Sequence, residues 1–243
     1  MSMYSLSKSK TLKKLKMGLF RQKGRNTSGR ITVYHRGGGY NQVFRVIDYK
    51  RYFWNLPGIV LRLEYNPNRN MVLALISYSN GVLSYVPCSE KLRVGTIIRN
   101  KTFFDPSNFG CASYLKTMPV GTFIHCLELK QFFGAQLLRS YGAYARVMSK
   151  TTKQVFVKLR SGVIRGFCPW NIATIGVLLP PLFRQKIHLR AGFFRNRGYR
   201  PAVRGVAMNP VDHPHGGGEG KSAAGRPSVS RWGWLTKNVK KKV

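Results

Sequence analysis

The chain has 243 residues, with 42 Lys+Arg against 7 Asp+Glu and a formal net charge of +35. Self-repulsion of that size opposes compaction, so the working state is expected to include a polyanion. A hydrophobic fraction of 43% excludes a disordered polycation, and no run approaches the ~18 uninterrupted apolar residues of a membrane-spanning helix.

In chain order, residues 1–30 carry nine Lys+Arg and no acid. They read as a basic arm in which Leu12, Leu15 and Met17 mark a short helix. Ile31–His35, rich in β-branched and aromatic residues, predicts a strand that stops at Gly37-Gly38-Gly39. Val43–Tyr49, Ile59–Tyr65, Met71–Tyr78 and Val82–Val86 follow as strands. Asn66-Pro67-Asn68 and Ser79-Asn80-Gly81 separate the last three, and Asn-Gly is a strong hairpin signal because both residues tolerate positive φ. Lys101–Met118, with Pro106 and Gly110, reads as a connector. A second set of strands is predicted at Thr122–Leu129, Ala143–Met148, Gln154–Leu159 and Val163–Phe167, with a tight turn at Ser161-Gly162 and one helical turn at Gln136–Ser140. Short strands at this spacing point to small barrels rather than βαβ units. From Phe183 onward arginine, glycine and aromatics interleave without clear periodicity, so that stretch is expected to take shape against a partner.

The cysteines, Cys88, Cys111, Cys126 and Cys168, form no Cys-x-x-Cys pair. A zinc knuckle or redox motif is therefore not indicated, and buried reduced thiols are expected. The first thirty residues lack the apolar centre of a secretory signal. Asp212-His213-Pro214-His215, with Glu219 and Ser222 nearby, invites a metal or hydrolase reading. Structural zinc, however, favours thiolates in closed geometry, and a triad needs a scaffold that fixes it. The alternative is a loop that threads packed RNA: glycine lets backbone approach phosphate, and its N–H groups bind anions. Gly37-Gly38-Gly39, between His35-Arg36 and Tyr40, is a smaller instance of the same idea, with Arg25, Arg30, Arg45 and Arg51 around it. It is no nucleotide-binding loop, since Gly-Lys-Ser/Thr is missing. Trp232 and Trp234 lie in a basic tail and are expected to pack on RNA or a neighbouring protein.

Arg204–Gly220, R-G-V-A-M-N-P-V-D-H-P-H-G-G-G-E-G, resembles the hallmark of the second large-subunit ribosomal protein family. Gly29–Arg51, Leu63–Arg69, Pro119–Thr122 and Gln136–Gly142 resemble further stretches of it. The resemblance implies a mainly β protein: a basic N-terminal arm (1–29), an oligonucleotide-binding-type barrel (30–105), an SH3-like barrel (106–180) and an RNA-threading extension (181–243). It implies a structural, non-enzymatic constituent of the large subunit that binds ribosomal RNA and supports subunit association and the peptidyl-transferase region. Peptide-bond formation in this family is attributed to RNA.

The RNA-binding residues expected on these grounds begin with Arg25, Arg30, His35, Arg36, Gly37, Gly38, Gly39, Arg45, Arg51 and Arg139. They continue in the extension with Arg195, Arg197, Arg200, Arg204, Asn209, His213, His215, Gly216, Gly217, Gly218, Lys221, Arg226, Arg231 and Lys237. Expected partners are large-subunit RNA, neighbouring ribosomal proteins and the small subunit, with no membrane and no small-molecule substrate. No cofactor or protein-bound metal is expected beyond Mg2+ or K+ held by the RNA. The chain departs from the bacterial pattern at Gln131–Ala135, where Phe132 and Phe133 replace a lysine- and glycine-rich turn and are expected to meet an added protein. Short basic ends with abundant Phe, Tyr and Asn suggest a mitochondrial member, with a plastid or bacterial cytoplasm as the alternative. The start at Met1 suggests encoding in the organelle.

Overall fold

The computed structural model describes residues 6–7, 11–19, 22–69, 71–102, 109–179, 190–220 and 225–237. The chain divides into two compact units, Met1–Phe20 with Asn41–Ile187, and Arg21–Tyr40 with His188–Val243.

The first unit holds every strand found among the described residues. Its leading part contains β1 (Lys16–Gly18), β2 (Val43–Arg45), β3 (Pro57–Asn66), β4 (Met71–Tyr78), β5 (Leu83–Pro87) and β6 (Ile97–Arg99). β1 pairs with β2, while a four-stranded antiparallel sheet runs in the order β5-β4-β3-β6. The turn chemistry sets the register. Asn68 N–H donates to the Asn66 side chain at 3.1 Å, and Val82 N–H to the Asn80 side chain at 3.1 Å, with Gly81 at φ +78°. Such Asx contacts replace backbone partners at the two bends.

β4 is buried along almost its whole length, which explains its unbroken apolar run. Val72, Ala74, Ile76 and Tyr78 face one core with Val60, Leu63 and Ile98. Met71, Leu73 and Leu75 face another with Tyr85, Cys126, Ala135 and Leu178. Because successive side chains of a strand point to opposite faces, β4 serves two cores, and the second includes residues of the following barrel.

That barrel comprises β7 (Ala112–Tyr114), β8 (Phe123–His125), β9 (Leu127–Glu128), β10 (Ala135–Leu137), β11 (Ala145–Lys150), β12 (Val155–Lys158), β13 (Ile164–Phe167) and β14 (Ile172–Ile175). Six of these form an antiparallel sheet, β13-β12-β11-β8-β14-β7, and β9 pairs with β10. Their core gathers Leu115, Met118, Ile124, Leu127, Val147, Val155, Val157 and Phe167. The architecture is thus mainly β, with the oligonucleotide-binding-type sheet first and the SH3-like sheet second.

Several expectations are corrected. Ile31–His35 is not a strand: only Ile31 makes a bridge, to Arg25, and all five residues are exposed. His35 sits at φ +59°, outside the β region. The Val43–Tyr49 strand ends at Arg45. Thr122–Leu129 breaks into β8 and β9 at Cys126, whose φ is +48°. Gln136–Ser140 forms no helical turn; β10 occupies its start, and Leu138 leaves it at φ +57°. Lys13–Leu15 forms one 3-10 turn that leads directly into β1.

Among its described residues the second unit contains one short helix, α1 (Phe193–Asn196), in a stretch without helical periodicity, and a 3-10 turn at Gly205–Ala207. Val229 is the only buried hydrophobic residue among its described residues. Backbone pairing holds it instead. Gly37 N–H donates to Gly198 O (3.0 Å), Tyr40 N–H to Asn196 O (2.8 Å) and Arg200 N–H to His35 O (3.0 Å). At Gly39 (φ +90°) a Cβ would stand 2.7 Å from Gly198 N, so only glycine permits that approach.

Candidate nucleic-acid interface

A protein with so few acids can spend them inside or outside, and this one buries two, Glu64 and Glu128, and leaves a third, Asp48, half-buried. Glu64, 2% exposed, accepts from the Tyr85 hydroxyl and from Arg62 Nε, both at 2.8 Å. Arg45 Nε lies 3.5 Å from the same carboxylate. Burial first, and then the bond to Glu64, raises the Tyr85 pKa. Glu128 is buried and accepts from the Gly134 N–H (2.9 Å) and the Ile172 N–H (3.0 Å). Asp48 accepts from the N–H groups of Lys50 (3.1 Å), Arg51 (2.7 Å) and Tyr52 (3.3 Å). Lysine and arginine are thereby left to dominate the exterior.

Arginines in the second unit lie over aromatic rings. Arg36 sits 4.4 Å from the Tyr199 centroid, Arg197 4.4 Å from Phe193, and Arg231 4.8 Å from Tyr34. Such stacking holds a guanidinium in place while leaving its edge N–H groups for an anion. Tyr34 also meets Trp232, ring to ring at 5.9 Å. A cavity of about 290 Å³ is lined by Lys23, Arg25, Ile31, Val33, Tyr34, His35, Arg36, Arg200 and Pro201. His35 Nδ1 donates to Pro201 O at 3.0 Å, which fixes the ring at its wall. Lys23 belongs to this cluster and escaped the sequence reading; its spacing two residues before Arg25 was the available signal.

The glycine-rich loop is organised by its two histidines. His215 N–H donates to His213 Nδ1 at 3.0 Å, and Val229 N–H donates to His215 Nε2 at 3.2 Å. The rings lie 4.8 Å apart. A Cβ on Gly205 would stand 2.5 Å from the His213 ring, so the ring packs directly on bare backbone. Both imidazoles thus accept from the chain itself, and neither is directed at a hydroxyl nucleophile among the described residues. No group of three or more His, Cys, Asp or Glu could hold a metal ion among them either.

Most residues expected to bind RNA lie together in the second unit: Arg25, Arg30, His35, Arg36, Arg195, Arg197, Arg200, Arg204, Asn209, Gly218, Arg226, Arg231 and Lys237 are exposed. Gly37, His213, His215, Gly216 and Gly217 are half-buried, and Gly38 and Gly39 are exposed. Lys221, like Ser222 of the rejected triad, lies outside the described residues. The first unit holds three. Arg139 is half-buried over Tyr49, 5.1 Å from the ring centroid, and Arg45 is occupied by Glu64.

Arg51 corrects the expectation of a surface residue. It is 3% exposed, with one guanidinium nitrogen on Gly110 O (3.0 Å) and Thr174 Oγ1 (3.4 Å). Beside it, His125 Nε2 and Ser89 Oγ are hydrogen-bonded at 2.8 Å. Burial, and then Arg51, push the His125 pKa down to about 3, so the ring is neutral. This polar cluster joins the two barrels. Cys88, Cys111 and Cys126 are buried, while Cys168 is exposed. Phe132 and Phe133 are each 66% exposed.

The chain matches the family model described as Ribosomal Proteins L2, RNA binding N-terminal domain, over residues 12–100. Residues 108–233 match the Ribosomal Proteins L2, C-terminal domain. It is 47% identical over 238 residues to the large ribosomal subunit protein uL2 of Hyphomonas neptunium, covering 97% of this chain and 85% of that protein. It is 46% identical over 234 residues to uL2m of Reclinomonas americana, covering 96% and 84%. Identity to uL2 of Cereibacter sphaeroides is 41% over 234 residues, covering 96% and 83%. With both domain models matched in order and relatives this similar along nearly its whole length, the chain belongs to the ribosomal protein L2 family.

Proposed function

We propose that the chain is a non-enzymatic structural constituent of the large ribosomal subunit that binds ribosomal RNA, chiefly through its second unit. The observation that carries this is the division of charge. Glu64 and Glu128 are buried in the double-barrel unit, while the second unit, with a single buried hydrophobic residue among its described residues, presents arginines stacked on aromatic rings. Contacts of this kind go mainly to phosphate and sugar and position a protein on RNA. The relatives' names and the matched RNA-binding domain support ribosomal RNA binding; that domain spans residues 12–100, of which residues 21–40 lie in the second unit.

Affinity for a large-subunit RNA fragment, measured between 50 and 200 mM salt, is expected to fall by about 10³-fold or more, the behaviour of six to ten phosphate contacts. A flat salt dependence would overturn the reading. We extend it to support of the peptidyl-transferase region and of subunit association through a small-subunit contact, with no cofactor of its own. His213 and His215 act as loop supports, so turnover by the isolated protein that is abolished by His213→Ala would contradict the non-enzymatic reading. A place in the mitochondrial ribosome is supported by the aromatic-rich composition and the uL2m relative, although bacterial relatives are as similar. Co-sedimentation with the large subunit from purified mitochondria tests it; recovery in another compartment alone would refute it.

A further inference from the structure

We infer that an open groove of the first unit, beside the turn between β9 and β10, is a docking site for a segment of a neighbouring protein that carries apolar side chains flanked by carboxylates. The inference goes beyond the RNA-binding reading and does not depend on it.

The groove encloses about 740 Å³ and is lined by Leu15, Val46, Ile47, Phe53, Leu83 and Phe133 among others. Leu15, Ile47 and Leu83 are half-buried and pack against the core that holds Leu73 and Tyr85. The groove is therefore the outward side of that core, and apolar side chains entering it would extend the same packing. The turn that carries Phe133 is pinned in place. Besides the bond from Gly134 N–H to Glu128, Ala135 N–H donates to Tyr49 O at 2.9 Å. At Gly134 (φ +81°) a Cβ would stand 2.9 Å from Lys50 Cγ. The backbone beneath the exposed ring is thus fixed before any partner arrives, which lowers the ordering cost of binding.

The charged residues of the groove decide its occupant. The one acid that lines it, Asp48, is already engaged by the N–H groups of Lys50, Arg51 and Tyr52. Its two cations, Lys50 and Arg139, lie against the rings of Tyr52 (5.6 Å) and Tyr49 (5.1 Å) and form no ion pair among the described residues. An exposed apolar patch bordered by polar groups marks a protein contact, and this one is short of carboxylates. A second copy of the chain would bring another +35 charges and be repelled. Nucleic acid would supply anions, but Leu15, Val46, Ile47 and Leu83 offer a base neither a flat face for stacking nor a hydrogen-bond donor. An acidic amphipathic segment satisfies both halves of the groove. Arg139, assigned to RNA from the sequence, is thereby reassigned to a carboxylate of this partner.

The test presents the full chain with a library of random short peptides, in the presence of polyglutamate to displace sequences held by charge alone. Enriched peptides are expected to combine Leu, Ile, Val or Phe with adjacent Asp or Glu. For the tightest of them, Phe133→Ser is expected to weaken binding about thirtyfold, the loss of a central aromatic anchor. Arg139→Gln is expected to weaken it about threefold, as for a partly exposed ion pair, and Phe133→Leu to retain most of the affinity. Phe133 is 66% exposed, so its variants are expected to keep the wild-type urea midpoint. In purified large subunits, carbodiimide coupling is expected to join Lys50 to an Asp or Glu of another protein. Enrichment of peptides for acidity alone, or an affinity that Phe133→Ser leaves unchanged, would overturn the inference. So would ultraviolet crosslinks from Tyr52 or Phe133 to RNA in the assembled subunit, which would give the groove to nucleic acid.

Discussion

Glu64 withdraws two arginines, Arg45 and Arg62, from the exterior and anchors them beside Tyr85. Removing one member of a buried charge cluster leaves the others uncompensated, so Glu64→Gln is expected to cost about 3 kcal/mol, read as a lower urea midpoint. His125 makes a pH-dependent contribution. Its folded pKa, about 3, lies below the ordinary value of 6.5; only the unfolded chain therefore gains a proton as the pH falls below 6.5. The contribution is complete above pH 6.5 and is lost progressively as the pH falls toward 3. From pH 7 to pH 5 the loss is about 2 kcal/mol, and His125→Asn is expected to abolish that part of the dependence in urea titrations at the two pH values. Residue identity alone hid these roles. Arg51 directly follows Lys50, and nothing local distinguishes it from a phosphate ligand; only the fold brings Gly110 and Thr174 to it.

At the scale of elements, β4 shows what a sequence pattern can deliver. Its continuous apolar run and the Asn-Gly turn after it predicted a strand and hairpin at their observed places, because the turn chemistry is local and the run is long. Two-sided burial also makes β4 a vulnerable point: Leu73→Ala, at a position with 0% exposure, is expected to cost about 3 kcal/mol, measured by chemical denaturation. Some of the shorter strands were not legible. β7 and β14 pair with each other over three residues, and their meaning comes from a partner about sixty positions away. Ile31–His35 misled in the opposite direction, since β-branched residues favour strands only where a neighbouring strand and a buried face await them. Gly205→Ala is a local test of the loop: displacing the His213 ring should break the His215 and Val229 contacts, and faster amide exchange at Val229 would report it.

At the scale of the molecule, charge was the most legible property and its placement the least. The net charge called for a polyanion, and the glycine-rich stretch with its arginines marked the second unit as the surface for it. The sequence could not say that Glu64 and Glu128 would face inward, because that depends on which donors the folded barrels leave without partners. The central claim is that the second unit is the principal RNA contact. A protein–RNA crosslinking map of the assembled large subunit tests it most directly: crosslinks should concentrate at residues 22–40 and 190–237 and reach large-subunit RNA. Crosslinks from those residues to proteins alone, or none to large-subunit RNA, would contradict it.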